Sequence, residues 1–282
     1  MFELVIVLYN MDFSESATIT SLNNLLASHD FPEIEQVLIF DNSERASEPR
    51  GLDSRFAYYH SPKNVGLAKA YNYALKQSHE TAEWLITLDQ DTTLTNDYLR
   101  ELIKEGHNQP LSVVAIAPVI KDGDQQISPV RSDTLRPLHT ELPKNDQTYS
   151  QDIMVINSAT ALRIRFLKEI DGYNLDFPLD YLDHWLSWRI FFEKRQIKIL
   201  STELQHQLSV LDYANQMNRS RYQAIIQAEK GYYSLYKTEL FSQYQRQLFL
   251  RIGKQLLTGR VNYGKITLKF LFSGGNNGNK SI

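Results

Sequence analysis

The chain has 282 residues, of which 42% are hydrophobic and 22% are charged, a composition that is typical of globular proteins and excludes a disordered chain. Its net charge of −3 argues against a general nucleic-acid binder, because such proteins are usually basic. The absence of cysteine excludes disulfides, Cys-ligated zinc sites and a thiol nucleophile.

The first residues, MFELVIVLYNMDFSES, contain a short apolar run without the basic start or the small-residue cleavage site of a signal peptide. No stretch of the sequence approaches the roughly 18 apolar residues that a transmembrane helix needs. We therefore expect a cytoplasmic protein. Peripheral contact with the inner face of the cell membrane stays open.

Apolar runs alternate with amphipathic stretches along the first half of the chain. Continuous apolar runs predict strands that are buried on both faces, at 3–10, 36–43, 55–61, 83–91 and 113–120. Apolar residues at helical spacing predict helices at 14–28 and 66–77. This alternation predicts an α/β fold with a mainly parallel sheet flanked by helices and joined by right-handed crossovers.

Polar side chains follow three of the predicted strands at the point where each strand ends. They are Tyr9 and Asn10, then Asp41 with Asn42 and Ser43, and finally Asp89 with Gln90 and Asp91. The carboxyl ends of parallel strands lie at one edge of a sheet, and ligands bind beyond that edge. The sequence therefore predicts a ligand site built from these three segments.

The second half of the chain is less regular. Residues 122–150 are polar and rich in Pro, Asp and Thr, which predicts a loop or lid. A strand, a turn and a helix are predicted over 152–170, and a turn, an acidic-aromatic segment and a helix over 171–200. A long helix rich in Tyr, Gln and basic residues is predicted over 219–257.

These patterns predict three parts of the chain. A catalytic domain is expected over 1–210, and a C-terminal helical extension over 211–272. The Gly/Asn-rich tail over 273–282 is expected to be disordered.

The pair Asp89 and Asp91 is the first candidate for chemistry. Two carboxylates separated by one residue at a strand end can share Mg²⁺ or Mn²⁺, which prefer carboxylate and phosphate oxygens. An Asp-x-Asp triplet is common by chance, and the alternative is a solvated turn. The position on the edge shared with Asp41 favours metal binding.

Two further segments could bind a nucleotide. Asp41 could accept hydrogen bonds from a base or a ribose, although Asp-Asn-Ser also makes a turn readily. Asn64 and Gly66 open the second helix, whose free N–H groups and positive dipole end suit phosphate, with Lys69 nearby. The alternative is ordinary Asn capping and a solvated lysine.

Asp183 is the candidate general base. A hydroxyl that accepts a transferred group is a poor nucleophile, and it needs a carboxylate or His within hydrogen-bond reach. Asp180 lies three residues earlier, so both acids could face one side of a helix. The alternative is an acidic helix start that complements the dipole. His184 is a competing base, although a structural role is favoured, and a lone His such as His206 is usually structural.

A set of short segments in a fixed order resembles glycosyltransferase family 2, most closely its bacterial rhamnosyltransferase-type members. The segments are VIVLYN, FDNS, KNVGLAKAYNYAL, LITLDQDT, NSATALR, GYN, DYLDHWLSWR and HQLS. The likeness covers roughly residues 3–240. It implies a GT-A (Rossmann-like) fold, a nucleotide-sugar donor and an inverting reaction.

The resemblance also implies roles for the residues that match the family's segments. The implied donor and nucleotide site comprises Tyr9, Asn10, Asp41, Asn64, Gly66, Lys69, Asp89 and Gln90. The implied site for Mn²⁺ or Mg²⁺ comprises Asp89, Asp91 and His206. Asp183 resembles the catalytic base, with Asp180, His184 and Trp185 on the acceptor side, where Trp185 replaces a residue that is often acidic in the family.

The expected reaction is transfer of a sugar from a dTDP- or UDP-sugar to a glycan, lipid-linked or glycoprotein acceptor in bacterial cell-surface synthesis. Rhamnose is the first choice, and glucose, galactose and N-acetylglucosamine stay open. A sugar nucleotidyltransferase is disfavoured, because the first strand lacks the Gly-rich basic loop that such enzymes use. A non-catalytic binder is disfavoured because Asp89, Asp91 and Asp183 are all present.

The C-terminal segment interleaves basic residues with Leu, Ile and Phe. Such a segment could dock on anionic lipid or on a second subunit, which leaves a homo-oligomer open. The alternative, which the sequence favours slightly, is a helix packed on the catalytic domain with solvated charges.

Overall fold

The structure, a computed structural model, describes residues 1–205 and 217–272. Contacts along the chain divide it into two units, residues 1–208 and 209–282. The predicted boundary at residue 210, His206 and the predicted disordered tail all lie outside the described residues.

The described part of the first unit contains a main sheet, a separate two-stranded sheet and several helices. Its strands are β1 (Phe2–Leu8), β2 (Ile34–Asp41), β3 (Phe56–His60), β4 (Trp84–Asp89), β5 (Val113–Asp122), β6 (Gln125–Ser128), β7 (Val130–Arg131), β8 (Thr148–Tyr149), β9 (Ile153–Met154), β10 (Thr160–Arg163) and β11 (Gln196–Gln205). Its helices are α1 (Ala17–Ser28), α2 (Leu67–Gln77), α3 (Asn96–Asn108), α4 (Ile164–Glu169) and α5 (Leu182–Phe192).

In the described residues the main sheet has the strand order β3-β2-β1-β4-β10-β5-β11-β8, and β6 also pairs with β5. The pairs among β1, β2, β3 and β4 and the pair of β5 with β11 are parallel. β10 lies antiparallel between β4 and β5, so the sheet is mixed. The predicted α/β fold, a GT-A-like and mostly parallel sheet flanked by helices, is confirmed.

Burial explains why the apolar runs form strands. All seven residues of β1 are buried, as expected for a strand covered by helices on both faces. Its Phe2, Leu4, Ile6 and Leu8 join a core cluster with residues of β2, β4, α1 and α3. This core fixes the strands whose carboxyl ends carry the predicted site.

Three sequence interpretations differ from the structure. The segment 122–150, predicted as a loop, contains β6, β8 and part of a β7–β9 ribbon. Helix α3 was not predicted, although Thr95 caps it by accepting from the Tyr98 N–H at 3.2 Å. The long helix predicted over 219–257 is two helices, separated by a short 3-10 helix at Thr238–Leu240.

The second unit is helical where it is described, which confirms the predicted helical C-terminal part. It contains α6 (Arg219–Leu235), α7 (Phe241–Leu257) and α8 (Val261–Phe272). Arg251 of α7 donates two hydrogen bonds to the Glu229 carboxylate of α6, at 2.7 and 2.8 Å. Tyr222 of α6 and Thr267 of α8 join their hydroxyls at 2.7 Å. No described helix of either unit combines the length and hydropathy needed to cross a membrane.

Candidate active site

The carboxyl ends of β1, β2 and β4 lie side by side, because Leu8 pairs with Asp41 and Val7 pairs with Asp89. The segments that follow these strands are joined by hydrogen bonds. The Tyr9 N–H donates to Gln90 Oε1 at 2.8 Å, and the Asn10 N–H donates to Ser43 Oγ at 2.9 Å. The structure therefore brings the three predicted segments together at one edge of the sheet.

Tyr9 and Asn10 form an open rim at this edge. The Tyr9 side chain is 48% exposed. Asn10 has a φ of 51°, a left-handed conformation that Asn adopts more readily than most residues. Both residues therefore present polar groups and one ring face to an incoming ligand.

Asp41 is buried, unlike the rim residues. Its carboxylate accepts hydrogen bonds from the Tyr58 hydroxyl at 2.7 Å, the Ser43 N–H at 2.9 Å and the Ser47 N–H at 3.4 Å. Burial opposes ionisation, but these hydrogen bonds outweigh it and lower the pKa of Asp41. Asp41 is thus an anion, and through its hydrogen bonds it stabilises the segment 43–47 at this edge of the sheet.

Tyr58 is a site residue that the sequence patterns do not predict. Its hydroxyl is the closest donor to Asp41, and burial followed by the Asp41 contact raises the pKa of Tyr58. The ring lies on β3 among ordinary core positions, and nothing in the sequence distinguishes it from the other tyrosines. Only the pairing of β2 with β3 reveals its role.

The turn that carries Asp89, Gln90 and Asp91 is stabilised by the start of α1. Thr18 Oγ1 donates to the Asp89 carbonyl at 2.6 Å, and Ser16 Oγ donates to the Gln90 carbonyl at 2.7 Å. These contacts fix the backbone of the turn and leave the two carboxylates to other partners.

Asp91 lines a cavity of about 390 Å³ together with further acidic and polar residues, including Glu15, Gln90, Asp122 and Gln205. Carboxylate and amide oxygens are the ligands that Mg²⁺ and Mn²⁺ prefer. The donor chemistry at this edge therefore fits a hard divalent cation. The third predicted ligand, His206, follows Gln205 directly but lies outside the described residues.

Tyr71 of α2 is fully buried. Burial, and then the charge of the nearby Asp89, raise the pKa of Tyr71, with smaller contributions from Tyr173 and Asp183. The sequence places Tyr71 near the start of the predicted helix but gives it no role.

Asp183 lies in the first turn of α5, two residues after Tyr181, which has a left-handed φ of 65°. Its Oδ1 accepts from the His184 N–H at 2.8 Å and lies 2.9 Å from His184 Nδ1. Burial opposes ionisation, but the charge and hydrogen bonds of His184 outweigh it and lower the pKa of Asp183. The side chain remains 24% exposed, so an anionic carboxylate is open to a ligand.

The other three residues predicted on the acceptor side differ in their position relative to α5 and in their exposure. Asp180 precedes α5, so the expectation that it shares a helix face with Asp183 is wrong. His184 is partly exposed, and its ring lies 4.5 Å from the ring of Tyr181. Trp185 is only 6% exposed, so it packs beneath the helix and offers little surface to an acceptor.

The first N–H groups of α2 bond to a backbone carbonyl of the protein itself, contrary to the expectation that they are free to bind a ligand. The N–H groups of Leu67 and Ala68 donate to the Pro178 carbonyl, at 2.7 and 3.3 Å. Gly66 permits this approach, because a Cβ there would lie 2.5 Å from the same oxygen. The helix start therefore supports the segment before Asp183 and leaves no open phosphate site at these two groups.

Two predicted residues near this helix start are exposed. Asn64 accepts from the Gly66 N–H at 2.9 Å, which is a turn contact just before the helix; Gly66 is the N-cap residue, and no side chain caps the helix. Lys69 makes no hydrogen bond or ion pair with a described residue. It therefore keeps a charge that a ligand could use.

Another group of metal-ligand type lies at the opposite edge of the sheet. Glu3, Glu35 and His79 place ligand atoms within 4.8 Å of one another, and no other such group of three occurs in the described parts of the chain. Glu3 and Glu35 stand at the amino ends of β1 and β2. This group is therefore separate from the candidate site.

Three solved structures illustrate the proteins that share this fold. S. aureus TarS 1-349 has a TM-score of 0.51 and 16% identity, covering 95% of this chain and 90% of that chain. GalNAc-T7, solved with UDP, GalNAc and Mn²⁺, has a TM-score of 0.58 and 13% identity, covering 88% of this chain and 50% of that chain. Mannosyltransferase PcManGT from Pyrobaculum calidifontis, solved with GDP-Man and Mn²⁺, has a TM-score of 0.51 and 14% identity, covering 97% and 88%.

These identities show a shared fold only. A search of curated protein sequences found no significant match. The family model described as Glycosyl transferase family 2, however, matches residues 3–171, more than half of the chain. The matched region holds the neighbouring strands β1 to β4, with Asp41, Asp89 and Asp91 at or just after their carboxyl ends, and the chain therefore belongs to glycosyl transferase family 2.

Proposed function

We propose that this family member is an inverting, metal-dependent glycosyltransferase that moves a sugar from a dTDP- or UDP-sugar to a hydroxyl of a glycan acceptor. The observation that supports the proposal is the meeting of the segments after β1, β2 and β4 at one edge of the sheet, where the Tyr9 N–H donates to Gln90 Oε1 and the Asn10 N–H donates to Ser43 Oγ. Asp89 ends β4 at this edge, and Asp183 lies in the first turn of α5. In this proposal the donor and the acceptor meet between these two carboxylates.

The donor lies, in this proposal, across the carboxyl edge of β1, β2 and β4. Its base lies near Asp41 and the segment 43–47, against the exposed face of Tyr9 and the polar rim at Asn10. Because Asp41 is buried beneath its own hydrogen bonds, direct contact with the base requires Ser47 to yield its bond, the longest of the three at 3.4 Å.

The diphosphate lies next to the acidic turn. Asp89 and Asp91, with His206, would hold Mn²⁺ or Mg²⁺, which supplies compensation for the charge on the departing diphosphate. GalNAc-T7 and PcManGT were both solved with Mn²⁺, which supports this choice of cation. Exposed and without a described partner, Lys69 is available to pair with a phosphate oxygen as well.

Asp183 acts as the base. Its lowered pKa keeps the carboxylate ionised at neutral pH, ready to take the proton of an acceptor hydroxyl. The hydroxyl oxygen forms a bond to the anomeric carbon as the bond from that carbon to the diphosphate oxygen breaks. Attack from the face opposite the leaving group inverts the anomeric configuration. His184 orients the base through its contact with Oδ1.

Rhamnose is the first choice of sugar, on the resemblance of LDQDT and DYLD to rhamnosyltransferase-type members. The acceptor is a glycan, free or linked to lipid or protein, of the bacterial cell surface. The protein acts at the cytoplasmic side, and its parts are a catalytic domain over 1–210 and a helical extension over 211–272. Homo-oligomers are compatible with this arrangement.

The test is turnover of a panel of dTDP- and UDP-sugars by the full chain with Mn²⁺, Mg²⁺ or EDTA. Asp91→Asn is compared with Asp30→Asn, a change of the same chemistry at an exposed residue near the amino edge of the sheet. We expect metal-dependent turnover of one donor, lowered about 100-fold or more by Asp91→Asn and unchanged by Asp30→Asn. Equal turnover in EDTA, or equal rates in the two variants, would contradict the proposal.

A further inference from the structure

The two last helices differ in charge from the rest of the chain. Residues 240–282 carry seven Lys and Arg and no Asp or Glu. Residues 1–239 therefore carry 23 Lys and Arg against 33 Asp and Glu, a net charge of −10 within a chain of −3. A separation of charge on this scale indicates that the C-terminal helices contact something anionic.

Apolar and basic side chains share the outward faces of α7 and α8. We call this set the basic apolar face; it comprises Arg246, Phe249, Leu250, Lys254 and Leu257 of α7 with Val261, Lys265, Leu268, Lys269 and Phe272 of α8. All ten side chains are exposed, and in each helix they recur at three- and four-residue spacing.

The exposure of this face is unusual for its composition. Leu250 is 68% exposed, Leu257 is 90% and Phe272 is 70%. The opposite faces of the same helices pack inside the second unit, where Leu248 and Thr267 are fully buried. The basic apolar face is thus a second apolar stripe that the described residues of the second unit leave exposed, and exposed apolar surface of this kind marks an interaction site.

The cations of this face are uncompensated. Arg246, Lys254, Lys265 and Lys269 make no ion pair with a described residue, and neither does Arg260 between the helices. Arg251 is different, because Glu229 neutralises it inside the unit. Five positive charges therefore stand beside exposed Leu, Phe and Val side chains with no acid on the same helices.

We propose that the basic apolar face docks on the surface of an anionic lipid bilayer. The apolar side chains enter the boundary between headgroups and acyl chains, and the Lys and Arg side chains pair with anionic headgroups. A second copy packed face to face would bring eight cations of this face together, which disfavours a symmetric dimer through it. The proposal goes beyond sugar transfer and does not depend on it.

The test is co-sedimentation of the full chain with vesicles of neutral phosphatidylcholine, and of phosphatidylcholine with 30% phosphatidylglycerol. We expect binding to the anionic vesicles only, weakening as salt is raised. The variant Lys254→Gln/Lys265→Gln/Lys269→Gln should bind about 100-fold more weakly, at about fivefold for each cation. Its matched control, Lys76→Gln/Lys104→Gln/Lys168→Gln, removes the same charge from exposed positions in the first unit and should bind like the wild type.

A second variant, Leu250→Gln/Leu257→Gln, separates lipid docking from self-association. We expect it to lose vesicle binding with an unchanged thermal midpoint, because both side chains are exposed. Equal binding of the two lysine variants, or equal affinity of the wild type for neutral and anionic vesicles, would overturn the proposal. The proposal would also be overturned by a different pair of results. In these, the wild type does not bind vesicles but dimerises as its concentration rises, and Leu250→Gln/Leu257→Gln abolishes the dimerisation.

Discussion

Replacing Gly66 with alanine is expected to destabilise the protein and disable the site together. Gly66 has φ 82° and ψ 172°, a backbone region that is nearly exclusive to glycine. The strain of a non-glycine residue there is about 1–3 kcal/mol. The added Cβ would also lie 2.5 Å from the Pro178 carbonyl oxygen, which is backbone and cannot rotate away.

Relief of that contact requires the segment at Pro178 to move, which breaks the 2.7 Å hydrogen bond from the Leu67 N–H and removes about 1 kcal/mol more. The sum is about 2–4 kcal/mol, or a fall of roughly 4–16 °C in the melting temperature of a chain of this size. The same movement displaces Asp183, five residues further on, and a shift of about 1 Å at a reacting group costs about 100-fold in rate.

Gly51→Ala is the matched control. Gly51 also has a positive φ, of 73°, but nothing lies within 4 Å of its added Cβ. It should therefore show only the strain of about 1–2 kcal/mol and keep its turnover. Thermal unfolding and donor turnover of both variants are the assays. If Gly66→Ala unfolds at the same temperature as Gly51→Ala and turns over donor like the wild type, the contact of Gly66 with Pro178 does not have the proposed role.

Three further predictions concern single contacts. Tyr58→Phe removes the hydroxyl that donates to Asp41 and should lower the free energy of unfolding by about 1.5–3 kcal/mol in urea denaturation, whereas Tyr59→Phe, at a partly exposed ring, should change it little. The pKa of Asp183 lies below its usual 3.8. If Asp183 works as a carboxylate base, kcat/KM should fall only as the pH falls through that lower value. A loss of kcat/KM centred at about pH 5 or above would contradict this role. Arg251→Gln leaves a carboxylate that is 10% exposed without its charged partner and should cost about 2–3 kcal/mol, measured in the same denaturant.

The fold could be predicted from sequence where one physical signal dominates. β1, β2 and β4 are apolar throughout because both of their faces are covered, and the polar residues that follow them mark the ligand edge. α3 could have been predicted, because Tyr98, Leu99, Leu102 and Ile103 recur at helical spacing after the Thr95 cap. The antiparallel insertion of β10 has no local sign, because pairing direction depends on the whole chain path.

Some residues of the candidate site could also be predicted from the sequence, and others could not. The acids at the strand ends were predicted, because their positions follow from the strands themselves. It misjudged the start of α2, because the carbonyl that closes it belongs to Pro178, 111 residues from Leu67 along the chain. Tyr58 was missed for a related reason. It is an ordinary tyrosine in sequence, and only tertiary packing places its hydroxyl beside the Asp41 carboxylate.

The most direct test of the central claim is to separate donor binding from turnover in Asp183→Asn. Donor affinity in the presence of Mn²⁺ is measured by calorimetry, and turnover of the same donor with acceptor is measured alongside, with Asp30→Asn as the control. We expect donor affinity close to that of the wild type and turnover lowered by about 100-fold to 10,000-fold, the usual contribution of a general base. Turnover equal to that of the wild type would contradict the assignment of Asp183 as the base and, with it, the proposed reaction.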